Sequence, residues 1–347
     1  MKREDIYNWG SFLAFIVLAA ISCWATEHSF HLLIQWMPEA FIWGLTIAFF
    51  IVASYGTKLI VDALNKDIWM DNRRRSFWIG TTLVLVFWLF MSMPTNTHTF
   101  FYNHNIGNTV QEDLTETRKY LVQIKDRQNV DSAYYVLHSK VQKFFTELTD
   151  EFNGIGKSGR KGSGEYVRQI LRKINEELEK EKPGSSVKFN DAAWNQFNPS
   201  VLSNYESQMN RSLEQIKEEN YKVSRFAAKE AAEDLRKIDI MNDTIKIMVE
   251  TGSVHEDLIT QANGVVLSGY ACIKNNQKFV NFEDENDRNL YTAENLETRI
   301  KRMLSVIDVW LDFFGGKYSI SFLFYVLLSI LVDVAAFIFF DFVFKKR

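Results

Sequence analysis

Residues Ile320–Phe344, ISFLFYVLLSILVDVAAFIFFDFVF, form one unbroken apolar run that has no Gly, Pro or basic residue and carries two acids, Asp333 and Asp341. Lys317 stands before it, and Lys345, Lys346 and Arg347 follow. At about 1.5 Å per residue, a run of this length covers a hydrocarbon layer of roughly 30 Å with some tilt. The stretch predicts a transmembrane helix with Asp333 near its middle. A carboxyl at that depth costs about 2.5–3.5 kcal/mol unless it is neutral, paired or facing water. Something elsewhere in the chain is expected to receive it.

Three more apolar runs lie near the start. Residues 9–25 carry no charge and follow Lys2 and Arg3. A secretory signal has the same plan, and Ala20-Ile21-Ser22-Cys23 approaches a lipoprotein cleavage box. The expectation is nonetheless a retained first helix, because Ala20 stands where that box usually has Leu. Residues 40–64 form a second span, whose end carries Lys58 and Asp62 four apart, a spacing that pairs on one helix face. Residues 76–93 form a third, expected to stop at Pro94. Between the first two, residues 26–39 read as a polar interfacial turn; Glu27, His28 and His31 in it lack further ligands at a zinc-like spacing, so no metal is expected.

Basic residues set orientation. Lys2/Arg3, the Arg73–Arg75 triplet and Lys345–Arg347 all fall on one side of a four-span chain, and by the positive-inside rule that side is the cytoplasm. The expectation is an all-α membrane protein: residues 1–94 hold three spans, 95–317 form a large extracytoplasmic helical domain, and 318–347 hold the fourth span and a cytoplasmic tail. Both termini lie inside.

The intervening block of about 220 residues is large enough to be a folded domain. Its apolar residues recur at helical spacing: Leu137, Val141, Leu148 and Phe152; Tyr166, Ile170, Ile174 and Leu178; and Met209, Leu213, Ile216, Asn220, Val223 and Ala227. The last series alternates by four and three like a coiled coil. It then passes to Ala231 and Leu235 rather than Glu230, which reads as a stutter. A polar Asn220 in that stripe is a device for fixing register or copy number, so it marks a candidate oligomer seam. A bundle closed within one chain would use the same stripe. Residues 264–282 are rich in β-branched and turn residues and suggest a hairpin. Residues 154–164, GIGKSGRKGSG, end like a phosphate-binding loop but have Glu151 where its first glycine belongs, and read as a flexible linker.

Composition narrows the classes. The chain has 347 residues and a formal charge of −3, which gives no reason to expect a nucleic-acid partner. Its two cysteines, Cys23 in an apolar run and Cys272 in the polar block, define no disulfide framework. No catalytic triad, metal string or dinucleotide fingerprint is legible, so no enzyme activity, cofactor or catalytic residue is expected. Two triplets, beginning at Asn210 and Asn242, match the glycosylation sequon, a common chance pattern. Few cysteines with many Lys and Asn suggest a bacterial inner membrane.

The candidate functional residues are therefore polar groups inside the spans. Asp341 lies at the depth of Lys58, so the two can neutralise one another. Asp333 lies level with Ser54, Tyr55 and Ser22, all hydrogen-bonding side chains. Asp333 has three readings: a structural acid between helices, one of a ring of acids along a cation path in an oligomer, or a proton relay. The preferred function is an oligomeric, channel-like or gating component whose outer domain senses or assembles, joined to the spans at Pro94 and Gly315-Gly316. The alternative is a non-conducting anchor that docks a partner of an envelope complex, such as secretion, transfer or defence machinery, through residues 108–312. The lipid bilayer is the partner common to both.

Overall fold

The computed structural model describes residues 3–34, 36–66, 68–251 and 255–344, with the side chains of residues 3–8 and 319 left aside. Lys2 and Lys345–Arg347, on which part of the orientation argument rests, lie outside the described residues. The chain is all-helical, and among the described residues there is no strand, only isolated bridges at Asn153–Lys161 and Ser163–Trp194. The helices are α1 (Arg3–Leu33), α2 (Glu39–Leu64), α3 (Arg73–Phe87), α4 (Met93–Lys125), α5 (Val130–Phe152), α6 (Glu165–Glu181), α7 (Pro199–Thr251), α8 (Glu256–Asn275), α9 (Glu285–Thr292), α10 (Arg299–Leu304), α11 (Val306–Phe314) and α12 (Ser319–Val343). Four helical stretches are long and apolar enough to cross a membrane: Trp9–Leu33, Glu39–Leu64, Arg73–Lys125 and Ile320–Val343.

Two of these run further than the sequence predicts. The polar residues after Ala25 are not a turn but the last two turns of α1. Pro94 does not stop the third span either, because α3 passes through a π-helical turn, Trp88–Ser92, directly into α4. A proline ring collides with the carbonyl four residues back and cannot bond to it. The wider π turn, in which the Met93 amide bonds back to Trp88 O, relieves that conflict and lets the helix continue.

The chain divides into two compact units. The first takes residues up to Asp113, Thr244–Asn263 and the chain from Glu297 on; the second takes Leu114–Asp243 and Gly264–Leu296. The block between the third and fourth apolar runs is thus not a single unit.

In the first unit α1 packs on α12 and α2 on α3. The α2–α3 crossing is made by glycine: a Cβ added to Gly80 would lie 2.4 Å from Gly56 O, and one added to Gly56 would lie 3.0 Å from Gly80 O. Small residues allow such backbone contact between apolar helices. Arg73 wraps the end of α2, donating to Asn65 O at 2.5 Å, Ala63 O at 3.4 Å, Lys66 O at 3.3 Å and Ile68 O. One member of the basic triplet therefore serves carbonyls that the end of a helix leaves unpaired.

At the other end of this unit, Asp312 of α11 binds Arg302 of α10 and, at 3.1 Å, Lys317 of the turn into α12. Partial burial alone would raise the Asp312 carboxyl, but these two cations outweigh it and hold it below its ordinary value. A lowered carboxyl adds stability above its unfolded pKa, about 3.9, and loses it only as pH falls through the folded value. Asp312→Asn is therefore expected to lower Tm at neutral pH, with the difference from wild type constant down to about pH 5 and closing below about pH 4. A difference that vanished near pH 6 in thermal scans would contradict this.

In the second unit α5, α6 and α7 enclose a core that includes Val141, Leu148, Phe152, Leu171, Ile174, Tyr205, Met209, Leu213 and Ile216. The coiled-coil-like stripe of α7 is thus buried by this chain itself. Asn220 is also buried and accepts a 2.8 Å bond from Lys278 Nζ, so its surroundings are supplied internally. Ala231 and Leu235 are buried and Glu230 exposed, as the stutter in the pattern requires.

Residues 264–275 are helical, not a hairpin. Val266, Tyr270 and Ile273 recur at helical spacing and are all fully buried, a gain that overrides β-propensity. The glycine-rich loop is built rather than slack. Gly162, at φ 104°, donates to Phe152 O at 2.8 Å, and the buried Glu151 carboxylate accepts from Ser158 N at 3.1 Å.

Candidate functional site

Asp333 sits on α12 with 1% of its surface exposed. Ser22 of α1 donates to Oδ1 at 2.7 Å, Ser92 at the end of the π turn donates to Oδ2 at 2.5 Å, and Asn96 Nδ2 of α4 lies 3.4 Å from Oδ1. The Asn96 amide also reaches Ser22 Oγ at 3.0 Å and Ser92 Oγ at 2.9 Å. Three donors from two other parts of the fold thus close on one carboxyl.

The cluster does not end there. Ser22, Thr26 and Ser29 recur at four and three along α1, and Ser92, Asn96 and Thr99 do the same along the π turn and α4, so each set forms one stripe. The stripes face each other. Thr26 donates to Asn96 Oδ1 at 2.9 Å and Thr95 to Thr26 at 3.2 Å; Ser29 reaches His98 Nδ1 at 2.9 Å and Thr99 Oγ1 at 2.7 Å. His98 Nε2 lies 3.1 Å from Met303 O. Every side chain in this ladder is buried. From Ser22 to Ser29 it climbs roughly 10 Å along the helix axis.

Beyond its upper end, Tyr102 stacks on His98 and packs against His28, with ring centres 5.8 and 5.7 Å apart. His28 Nδ1 lies 3.4 Å from Glu256. Tyr102 OH and His28 Nε2 are buried with no hydrogen-bond partner among the described residues. Glu27, His28 and His31 form no ligand set: among the described residues no three of His, Cys, Asp and Glu converge as for a metal.

On the other side of Asp333 the polarity changes abruptly. Phe50, Phe87 and Phe337 meet pairwise at 5.7–6.4 Å, and Phe15 joins Phe50 at 6.4 Å and Phe340 at 5.2 Å. Past this aromatic block Lys58 Nζ lies 3.0 Å from Asp62 and 3.1 Å from Asp341, tying α2 to α12. The ladder is therefore blind: polar from Asp333 to one end, closed by phenyl rings at the other.

The structure brings Ser22 to Asp333 and Lys58 to Asp341, but not the other two residues expected at Asp333. Ser54 turns back to its own helix, donating to Phe50 O at 2.9 Å, because a serine within a helix can satisfy itself four residues back. Tyr55 is 59% exposed on the outer face of α2. The residues that do receive the acid, Ser92 and Asn96, were hidden by reading Pro94 as a stop. The signal that could have found them is the run Ser92–Thr99, dense in small polar residues but continuing the helical period of the span. Comparison with models of known protein families, with curated proteins and with solved structures gives no match.

Proposed function

We propose that this chain is a multi-pass membrane protein, with both termini cytoplasmic and the hydrophilic block between the third and fourth spans extracytoplasmic, beginning beyond the buried ladder that ends at Thr99 rather than at residue 95, in which the Asp333 junction is a proton-responsive gating element. The channel-like reading of the spans thereby becomes specific to protons. The observation that carries it is the one-sided ladder of buried hydroxyl, amide and imidazole groups that ends on Asp333 above an aromatic block. Hydroxyls rotate between donor and acceptor roles, so such a ladder can serve a carboxylate or a carboxylic acid. The π turn supplies the moving part. If it relaxed to an α-helix, its last residue, Ser92, and the residues after it would rotate by about 100°, carrying Ser92 and Asn96 off the acid.

The test is proton flux into vesicles containing the purified protein, driven by an imposed potential and followed with an internal pH dye. Wild type is expected to conduct above empty vesicles, with Asp333→Asn falling about 100-fold or more, the scale on which a positioned acid–base group speeds proton transfer. Equal, background-level flux for both would refute the reading.

A second reading is favoured by a different observation: Lys58, Asp62 and Asp341 are paired within the chain and both Asp333 oxygens are occupied. On it, the same groups lock the helices of a non-conducting anchor, and residues 108–312 dock an envelope partner. Absence of flux together with a stoichiometric partner recovered from native membranes would select it. Self-association is proposed under either reading, and cross-linking in native membranes tests it.

A further inference from the structure

Helix α11 is apolar on two faces. Val306 and Val309 are buried, and Trp310 turns inward to donate from its indole to Pro94 O at 3.1 Å. Phe313 packs on Phe322 at 4.7 Å. The inner face is thus fully used. The outer face carries Ile307, Leu311 and Phe314 at spacings of four and three, 60%, 59% and 74% exposed. Three large apolar side chains aligned on a nine-residue helix are not scattered surface residues; such a stripe marks a contact surface.

What covers it follows from the neighbouring chain. Gly315 and Gly316 end the helix with bonds to Leu311 O and Phe313 O at 2.9 Å, and Gly316 takes φ 86°, turning the chain back. Five residues after Phe314 the apolar helix α12 begins, with Ile320, Leu323 and Phe324 83%, 48% and 60% exposed. The exposed stripe of α11 therefore continues along the chain into the lipid-length surface of α12, with Lys317 and Tyr318, both bonded to Asp312, in the turn between them. We propose that α11 lies in the plane of the bilayer interface, with Ile307, Leu311 and Phe314 inserted among the lipid chains beside the start of α12. A helix lying in the interface sinks its exposed apolar face about 5–10 Å into the boundary between headgroups and chains.

The test uses the full-length protein in phosphatidylcholine vesicles with a bimane label at Leu311→Cys. The native thiols Cys23 and Cys272 are buried, and the unsubstituted protein measures their background labelling. Controls carry the label at Lys301→Cys, on an exposed polar position, and Leu327→Cys, within α12. Expected is quenching about twofold stronger by lipid spin-labelled near the headgroup than near the chain end, for a residue roughly 5–10 Å below the surface. Iodide should quench Leu311→Cys far less than Lys301→Cys. Phe314→Cys should repeat the pattern if Leu311→Cys fails to assemble. Iodide quenching equal to that of Lys301→Cys would overturn the proposal, and so would shielding from both lipid and iodide quenchers with disulfide-linked Leu311→Cys dimers, which would assign the face to a second copy. None of these readings depends on whether Asp333 handles protons.

Discussion

Valine at Gly80 is expected to be the most damaging single substitution in the apolar half of the chain. Its Cβ alone would stand 2.4 Å from Gly56 O, a backbone atom that cannot swing aside, and Leu59 and Ile60 close the same space at 3.0 Å. Helices α2 and α3 would have to separate, losing close packing along their contact. Overpacking costs typically about 1–3 kcal/mol and more where backbone must move, so a loss of about 3 kcal/mol or more is expected. Gly44→Ala, on α2, the other helix of the crossing, is the control. Among the described residues nothing lies within 4 Å of the added Cβ, and the exchange should be neutral or stabilising by about 0.5–1 kcal/mol. Unfolding in mixed micelles with increasing denaturing detergent measures both; similar curves for the two variants would contradict the packing argument.

The second large effect is expected at Asp333, where two substitutions should part company. Leucine keeps the branching at Cγ, with bulkier methyl groups in place of the oxygens, but removes the acceptor from Ser22, Ser92 and Asn96 at once. Interhelical hydrogen bonds between membrane helices are worth about 0.6 kcal/mol on average and about 1.7 at most, so Asp333→Leu should cost roughly 2–5 kcal/mol. Asparagine keeps one acceptor oxygen, and its amide can donate to a neighbouring hydroxyl, so Asp333→Asn should cost no more than about 1 kcal/mol. The same micelle assay, run beside the flux measurement, separates a folding defect from a transport defect. Equal destabilisation by the two substitutions would mean that the donors do not depend on this acid.

How much of this was legible in the amino acids depended on whether a rule could act locally. The apolar runs were, because length and the absence of charge are properties of a segment. So was the stripe of α7, down to the exchange of Glu230 for Ala231, because helical period survives whatever the helix packs against. Pro94 misled because its usual effect is local and its remedy, a π turn, lies in the residues before it and carries no compositional mark. Thr26, Ser29 and Thr99 read as a membrane exit for a related reason: small polar residues look the same whether they meet water or each other. Gly56 and Gly80 are individually ordinary, and their significance exists only once two helices cross. The β-branched residues after Gly264 show the converse, a local preference overruled by burial.

The closing of the Asp333 junction also bears on biosynthesis. Ser92 and Asp333 are 241 positions apart, and Ser22 is further still. A ribosome adding about 5–20 residues per second needs on the order of 12–50 s to travel from one to the other. For that interval the nascent first and third spans present a row of hydroxyls and an amide with no carboxyl to answer them. The polar faces must be sheltered by each other or by the insertion machinery until the last helix is delivered.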